Sequence, residues 1–257
     1  MKKEVIRPNI VLEKLKKDEP ALGGWVMSGS VVVSELLSLS GFSWVCIDAE
    51  HSAVTTETAL NMMVAIEKHG AEPFVRVSSN NESEIKKFLD MGARGIIVPM
   101  VKSYKDVQNA ISYTKFPPVG NRSYALPRCT NYGLSMDDYF QKANDSIFLG
   151  IMIEHIDALP HLDSIFSSSN IDAILVGPYD LSGSMGIPGK FKNPEFIEAL
   201  ELIYKKAKEY KIRIGIHEVH PTPEKIKEIV KSGYRFIACG LDTLFILDEG
   251  SKYRDLF

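Results

Sequence analysis

Only three cysteines occur in the 257 residues, Cys46, Cys129 and Cys239, and no two form a CxxC pair. That spacing excludes a disulfide framework and a zinc ribbon. Cys46 and Cys239 lie inside apolar runs and read as small buried hydrophobes. Basic charge is not in excess: 30 Lys plus Arg stand against 33 Asp plus Glu, a net charge of −3, which argues against a nucleic-acid partner. Long hydrophobic runs are missing too. The longest apolar-rich stretch, 31–47, is broken by Ser34, Glu35, Ser38, Ser40, Gly41 and Ser43, so no membrane span is expected. Residues 1–20 mix both charges, unlike a signal peptide. A cytoplasmic, soluble protein is the expectation.

Several catalytic signatures are absent as well. The turn after the first candidate strand, MSGSVVV, lacks GxGxxG. No GxSxG elbow, Walker loop or HExxH helix is present. No lysine falls inside a candidate strand, Lys102 being the nearest, which disfavours Schiff-base chemistry.

What is present is a regular alternation. Short apolar, β-branched runs at 24–27, 44–48, 74–77, 95–99, 148–154, 173–177, 213–217 and 236–240 read as strands. Between them, helical patterns occupy 31–40, 56–68, 82–91, 104–114, 137–143, 158–166, 194–209 and 223–231, with a last one from 242 to about 254. In the fourth strand Ile96-Ile97-Val98 is continuously apolar, as a strand covered on both faces should be. Ile85, Phe88 and Leu89 fall at i, i+3, i+4, one face of a helix. Eight βα units predict an α/β fold, a (β/α)8 TIM barrel, with 1–257 as a single domain. The one long connection, 116–136, carries Arg122 and Arg128. A loop of that length is usually functional, and its arginines are candidates for a distal anionic group of a substrate, with subunit packing as the other reading.

A barrel places its site where its strands end. Those ends carry Asp48, Glu50 and His51; Arg76; Glu154 and His155; Gly177, Tyr179 and Asp180; and His217 and Glu218. Glu154 and Asp180 come from adjacent strands. Two converging carboxylates repel unless a cation neutralises them, and a pair of oxygen donors plus water and substrate oxygens suits Mg²⁺ or Mn²⁺. The structural reading is that Glu154 pairs with an arginine and Asp180 caps the following helix. His51, with Asp48 and Glu50 just before it, has the chemistry of a general base, or is a surface histidine at a helix start. Arg76 inside PFVRV needs an anion, either a substrate carboxylate or enolate or an interior salt bridge to Asp48 or Glu50.

The segments GFSWVCIDAEH, PFVRV, IKKFLDMGARGIIVPMV, FPPVGNR, YFQKAND, IMIE and GPYDLSGSMG, spread over about 22–245, resemble the HpcH/HpaI aldolase family of metal-dependent (class II) pyruvate aldolases. The resemblance implies a lyase of carbohydrate metabolism that cleaves a 4-hydroxy-2-oxo acid to pyruvate and an aldehyde, or runs the reverse addition, through a metal-stabilised pyruvate enolate. It implies a divalent cation, Mg²⁺ or Mn²⁺ with Co²⁺ as a third candidate, on Glu154 and Asp180. Arg76 would stabilise the enolate. His51 would be the catalytic base with Asp90 as its acidic partner. Gly177 and Tyr179 would hold the pyruvate carboxylate by their backbones. Asp48 and Glu50 would stand behind the metal's waters. A homo-oligomer is implied, a hexamer or trimer of dimers, with the last helix exchanged between subunits. Met152, where a glutamine is expected, and Tyr179, in a place usually small, depart from the family pattern. The alternatives are an acyl-CoA lyase of the citrate lyase β-subunit type, a non-catalytic barrel serving binding or assembly, and a metal-dependent phosphodiesterase on the same fold.

Overall fold

The computed structural model describes residues 6–254. Eight parallel strands close into a barrel in chain order: β1 (Ala21–Val26), β2 (Trp44–Asp48), β3 (Glu72–Arg76), β4 (Gly95–Val98), β5 (Phe148–Ile153), β6 (Ala173–Val176), β7 (Arg213–Glu218) and β8 (Phe236–Cys239). The described helices are α1 (Ile10–Lys16), α2 (Val31–Leu39), α3 (Thr56–Lys68), α4 (Glu82–Met91), α5 (Tyr104–Thr114), α6 (Met136–Ser146), α7 (Leu162–Phe166), α8 (Pro178–Ser184), α9 (Pro194–Glu209), α10 (Pro223–Lys231) and α11 (Asp242–Ser251).

Successive strand residues face opposite ways, so each strand feeds two cores. Val45, Ile47, Val75, Ile96, Val98, Ile151, Ile153 and Ile174 face outward and join the layer under the helices. Trp25, Trp44, Cys46, Phe74, Ile97, Phe148, Met152, Leu175 and Phe236 face inward and fill the barrel. Trp44 stacks on Phe236 with centroids 4.4 Å apart, and Phe74 lies 4.8 Å from Phe148. Gly23 makes room for this layer: a Cβ there would stand 2.1 Å from the Trp44 ring. The interior is therefore a packed core rather than a pore.

Most elements match the sequence pattern, and the departures have local causes. β1 begins at Ala21 instead of 24, because the Gly23–Gly24 pair hides its periodicity. The expected helix 158–166 is divided: Ile156–His161 is a 3₁₀ stretch holding Pro160, and α7 starts only after it, since proline supplies no N–H for a continuous ladder. The short helix α1 was not expected, and α8 starts at Pro178, ahead of Asp180, the residue expected at its cap. Asn9 caps α1 by accepting the Val11 and Leu12 N–H groups, and Val11, Leu12 and Leu15 are buried against the barrel's N-terminal end.

That end is also held by charge. Glu72 is fully buried and accepts from Arg7 Nη1 at 2.6 Å, the Ile10 N–H at 2.9 Å and Arg94 Nε at 3.2 Å. Removing one member of such a cluster leaves opposite charge uncompensated in a dry site. Glu72→Ala is expected to lower unfolding stability by about 3–5 kcal/mol. Urea denaturation measures it, and an unchanged midpoint would show that α1 and the barrel's N-terminal end are held by apolar contact alone.

The long connection 116–136 joins the end of α5 to α6, and so lies on this same N-terminal face. Arg122 is buried there, donating to Asp90 Oδ1 at 2.8 Å and Tyr139 Oη at 3.1 Å, with its guanidinium 4.6 Å from the Phe116 ring centroid. Arg128 pairs with Glu67 and donates to the Met91 carbonyl at 2.8 Å. Contact between these arginines and a substrate on the chain's own rim is thereby corrected: both are spent on joining the loop to α3 and α4, at the wrong end of the barrel.

Candidate active site

The rim follows from the same inward parity that builds the core. Trp25, Asp48, Arg76, Glu154 and His217 continue the inward-facing series of β1, β2, β3, β5 and β7. Registry sets Asp48 directly beside Arg76. Arg76 donates to Asp48 through Nη2, and through Nε at 3.1 Å, while its Nη1 lies 3.3 Å from Glu50 Oε2. The interior salt bridge is thus present. Trp25 Nε1 donates to Asp48 Oδ2 at 3.1 Å, and the N–H groups of Glu50 and His51 reach Oδ1 at 3.0 and 3.1 Å. Burial alone would raise the Asp48 pKa, but Arg76 and these donors hold it below the ordinary carboxylate range. Both Asp48 oxygens are spent inside the protein, so this residue anchors Arg76 and the 49–51 turn. The Arg76 guanidinium lies over Trp25 at 5.1 Å, and Asp48 and Glu50 raise its pKa against the opposing effect of burial.

Glu154 is 2% exposed. Its Oε1 accepts the Met100 N–H at 2.7 Å, and Met100 adopts a left-handed backbone, φ 56°, where it supplies that donor. Such a conformation in a non-glycine residue costs roughly 1–2 kcal/mol and marks a position held by its surroundings. Gly177 comes so close that a Cβ would lie 2.4 Å from Glu154 Oε2. Burial, with the nearby charges of Glu50 and Asp180, pushes the Glu154 carboxyl up to about 7. It has no arginine partner among the described residues, so the arginine-pair reading does not hold. Asp180 stands in the first turn of α8, whose N-cap is Gly177 without a side-chain cap; the helix-cap reading does not hold for it either. Burial likewise raises the Glu50 carboxyl, partly offset by Arg76.

His51 is half-exposed on this rim, its Nε2 3.7 Å from Glu50 Oε2. Tyr179 is exposed and sets its ring edge against Phe191, 4.9 Å between centroids. Gly177 and Tyr179 open α8, where backbone N–H groups lack intrahelical partners. Asp90 is not brought to the site. It ends α4 on the opposite face of the barrel and is held by Arg122, so within one chain His51 meets Glu50 instead. His155, Glu218 and Asp242 are structural: His155 Nδ1 accepts the Asp157 N–H at 3.2 Å, Glu218 meets Lys225 at 2.6 Å, and Asp242 ties the Met27 and Ser28 N–H groups across the β8–β1 seam at 2.9 and 3.1 Å.

Two contributors, Trp25 and the Met100 amide, were not singled out from sequence, where His217 stands out only as a strand-end residue. Trp25 and His217 stack with centroids 4.7 Å apart, and His217 Nε2 bonds the Gly240 carbonyl at 3.0 Å, while burial lowers its pKa. Counting inward parity along each strand would have found Trp25. The Met100 amide has no sequence signal, because its role depends on one backbone angle.

Among the described residues no cluster of three or more His, Cys, Asp or Glu could hold a metal ion. The protein offers two carboxylates, Glu154 and Asp180. Among the described residues Glu154 forms no ion pair, and its charge is disfavoured by both of its acidic neighbours, with Arg76 offsetting only part of the effect. A hard divalent cation fits that donor set, with its remaining positions left to water and to oxygen atoms of a substrate.

A profile of the family described as HpcH/HpaI aldolase/citrate lyase matches residues 22–248. The 2-dehydro-3,6-dideoxy-6-sulfogluconate aldolase of Pseudomonas putida is 33% identical over 239 residues, covering 93% of this chain and 92% of the relative. The 4-hydroxy-2-oxo-heptane-1,7-dioate aldolase of Escherichia coli is 33% identical over 90% of this chain and 88% of its own length. Among solved structures, an HpcH/HpaI aldolase/citrate lyase family protein from Burkholderia cenocepacia superposes with a TM-score of 0.87 at 28% identity, over 95% of this chain and 97% of that one.

Proposed function

The chain belongs to the HpcH/HpaI aldolase/citrate lyase family, and from that premise we propose that it is a divalent-metal-dependent aldolase cleaving a 4-hydroxy-2-oxo acid to pyruvate and an aldehyde, or catalysing the reverse addition. The observation that carries this reading is Glu154: a buried carboxyl that forms no ion pair among the described residues, pushed up to about 7 by burial and acidic neighbours despite the charge of Arg76 on the same rim. Glu154 and Asp180 would hold the cation, with Mg²⁺ or Mn²⁺ as first candidates and Co²⁺ as a third. When bound, such a cation supplies a Lewis acid for the keto and carboxylate oxygens of a 2-oxo acid.

The remaining work falls to the chain's own groups. Three of the five N–H donors of Arg76 face Asp48 and Glu50, which leaves two to meet the negative oxygen that develops as the C3–C4 bond breaks. Asp48 and Trp25 fix that guanidinium before substrate arrives. His51 takes the proton of the C4 hydroxyl, with Glu50 as the neighbouring carboxylate. The first turn of α8, at Gly177 and Tyr179, receives the substrate carboxylate. The acyl-CoA lyase alternative draws no comparable support, since the two curated relatives described above are aldolases.

Pyruvate release from a panel of 4-hydroxy-2-oxo acids is expected to require a divalent cation and to stop in EDTA. Borohydride with pyruvate should trap no lysine adduct. Activity that survives EDTA, with a reduced lysine adduct recovered, would sink the reading.

We also retain the homo-oligomer with an exchanged last helix. α11 buries only Asp242, while Phe245, Ile246 and Leu247 are 38%, 63% and 60% exposed, an apolar surface that a lone chain leaves wet. Only across a subunit boundary could Asp90 serve His51. Sedimentation equilibrium should give a multiple of the chain mass, and a monomer at micromolar concentration would remove both points.

A further inference from the structure

One cavity lies away from the rim. Its volume is about 440 Å³, and it opens on the N-terminal face between the end of α9 and the turn that leads from α10 into β8. One wall is apolar, with Ile214 from the outer face of β7. A second is aromatic: Tyr204 and Tyr234 meet edge to face, 5.7 Å between centroids. The third is cationic, with Lys208, Lys211 and Arg213. No carboxylate among the described residues lines the cavity. Arg213 is committed, donating to Asp18 at 2.8 Å and to the Leu15 carbonyl at 3.0 Å. Lys208 and Lys211 have no ion-pair partner among the described residues.

We propose that this cavity binds an aromatic monocarboxylate, its ring against Ile214 and the tyrosine pair and its carboxylate between the Lys208 and Lys211 ammonium groups. Volume and lining suit a small-molecule site, concave and largely apolar with a few polar groups. Each tyrosine carries one O–H that can donate to a ligand. Backbone donors are scarce: the Ser232, Gly233 and Tyr234 N–H groups already bond the carbonyls of Glu228, Val230 and Ile229. A carboxylate can lie between the two ammonium groups, each of which carries three donors, with a tyrosine O–H beside it. Attraction between unlike charges is stronger beside an apolar wall than in open water.

The probe is benzoate, titrated calorimetrically into the intact chain, with the uncharged benzyl alcohol as comparator. Saturable binding of one benzoate per chain is expected, with benzyl alcohol at least tenfold weaker. Lys208→Met with Lys211→Met should weaken benzoate at least tenfold and leave aldol cleavage unchanged, because both residues lie on the face opposite the rim. Tyr234→Phe gives an independent test through the lost donor. Excess pyruvate should not displace benzoate. The proposal is overturned if benzoate does not saturate, if benzyl alcohol binds as tightly, if the lysine variants bind normally, or if pyruvate competes.

Discussion

Arg76→Lys is expected to lower kcat for pyruvate release by about 10²–10³-fold, the loss that follows removal of one fixed donor to a developing oxyanion. Lysine keeps the charge, so the test isolates geometry. The guanidinium is gripped on one edge by both oxygens of Asp48, lies near Glu50 on the other and rests on Trp25. An ammonium on a flexible stem cannot make the paired contact with Asp48 and still present donors in a fixed plane. It would be drawn to Asp48, away from the substrate. Because the enolate charge is absent from the bound substrate and develops only as the C3–C4 bond breaks, the loss should fall on kcat, with KM changed less. The fold should survive, since a cation still answers the buried Asp48; circular dichroism and the thermal midpoint check this. A loss below about threefold in kcat would mean that Arg76 is an interior salt bridge and nothing more.

The architecture was open to a reader of the sequence because its signals are local. Ile96-Ile97-Val98 reads as a strand covered on both faces, and Ile85, Phe88 and Leu89 read as one helix face; both are what the folded chain shows. The rim residues were legible for a related reason. A charged residue at the end of an apolar strand has few places to go, and barrel topology sends all such ends to one face. Three things were not legible. A side chain's partner depends on which loop lies opposite: Arg122, read as a substrate contact, is buried against Asp90, because the loop that carries it returns to the N-terminal face. The resemblance pairs Asp90 with His51, but chain order alone cannot tell that α4 ends on the far side. The role of Met100 is set by a backbone angle that its side chain does not favour, and no pattern of residue types announces it.

Glu154→Gln tests the other half of the site. Glutamine has nearly the same shape and can still accept the Met100 N–H, but it brings no charge to a cation. Affinity for Mn²⁺, followed by the electron paramagnetic resonance signal of the free ion, should fall by about 10²-fold or more, beyond the 10–100-fold typical when only a supporting group is lost. At a fixed Mn²⁺ concentration near the wild-type dissociation constant, kcat/KM should fall by about 10³-fold, on the order of 4 kcal/mol. An inert variant could also be a misfolded one, and here the electrostatics separate the two outcomes. Burial and the charges of Glu50 and Asp180 oppose ionisation of Glu154, so the neutral amide relieves a repulsion rather than creating one. The metal-free variant should therefore unfold at the same temperature as the metal-free parent, or higher. The parent should gain stability from Mn²⁺ in the measure that binding to the folded state alone requires, while the variant gains little. If the variant binds Mn²⁺ as the parent does and cleaves substrate at a comparable rate, Glu154 is a buried acid without a cation, and the metal must be sought among other donors. If it loses activity together with its metal-free stability, the carboxylate holds the barrel rim together instead.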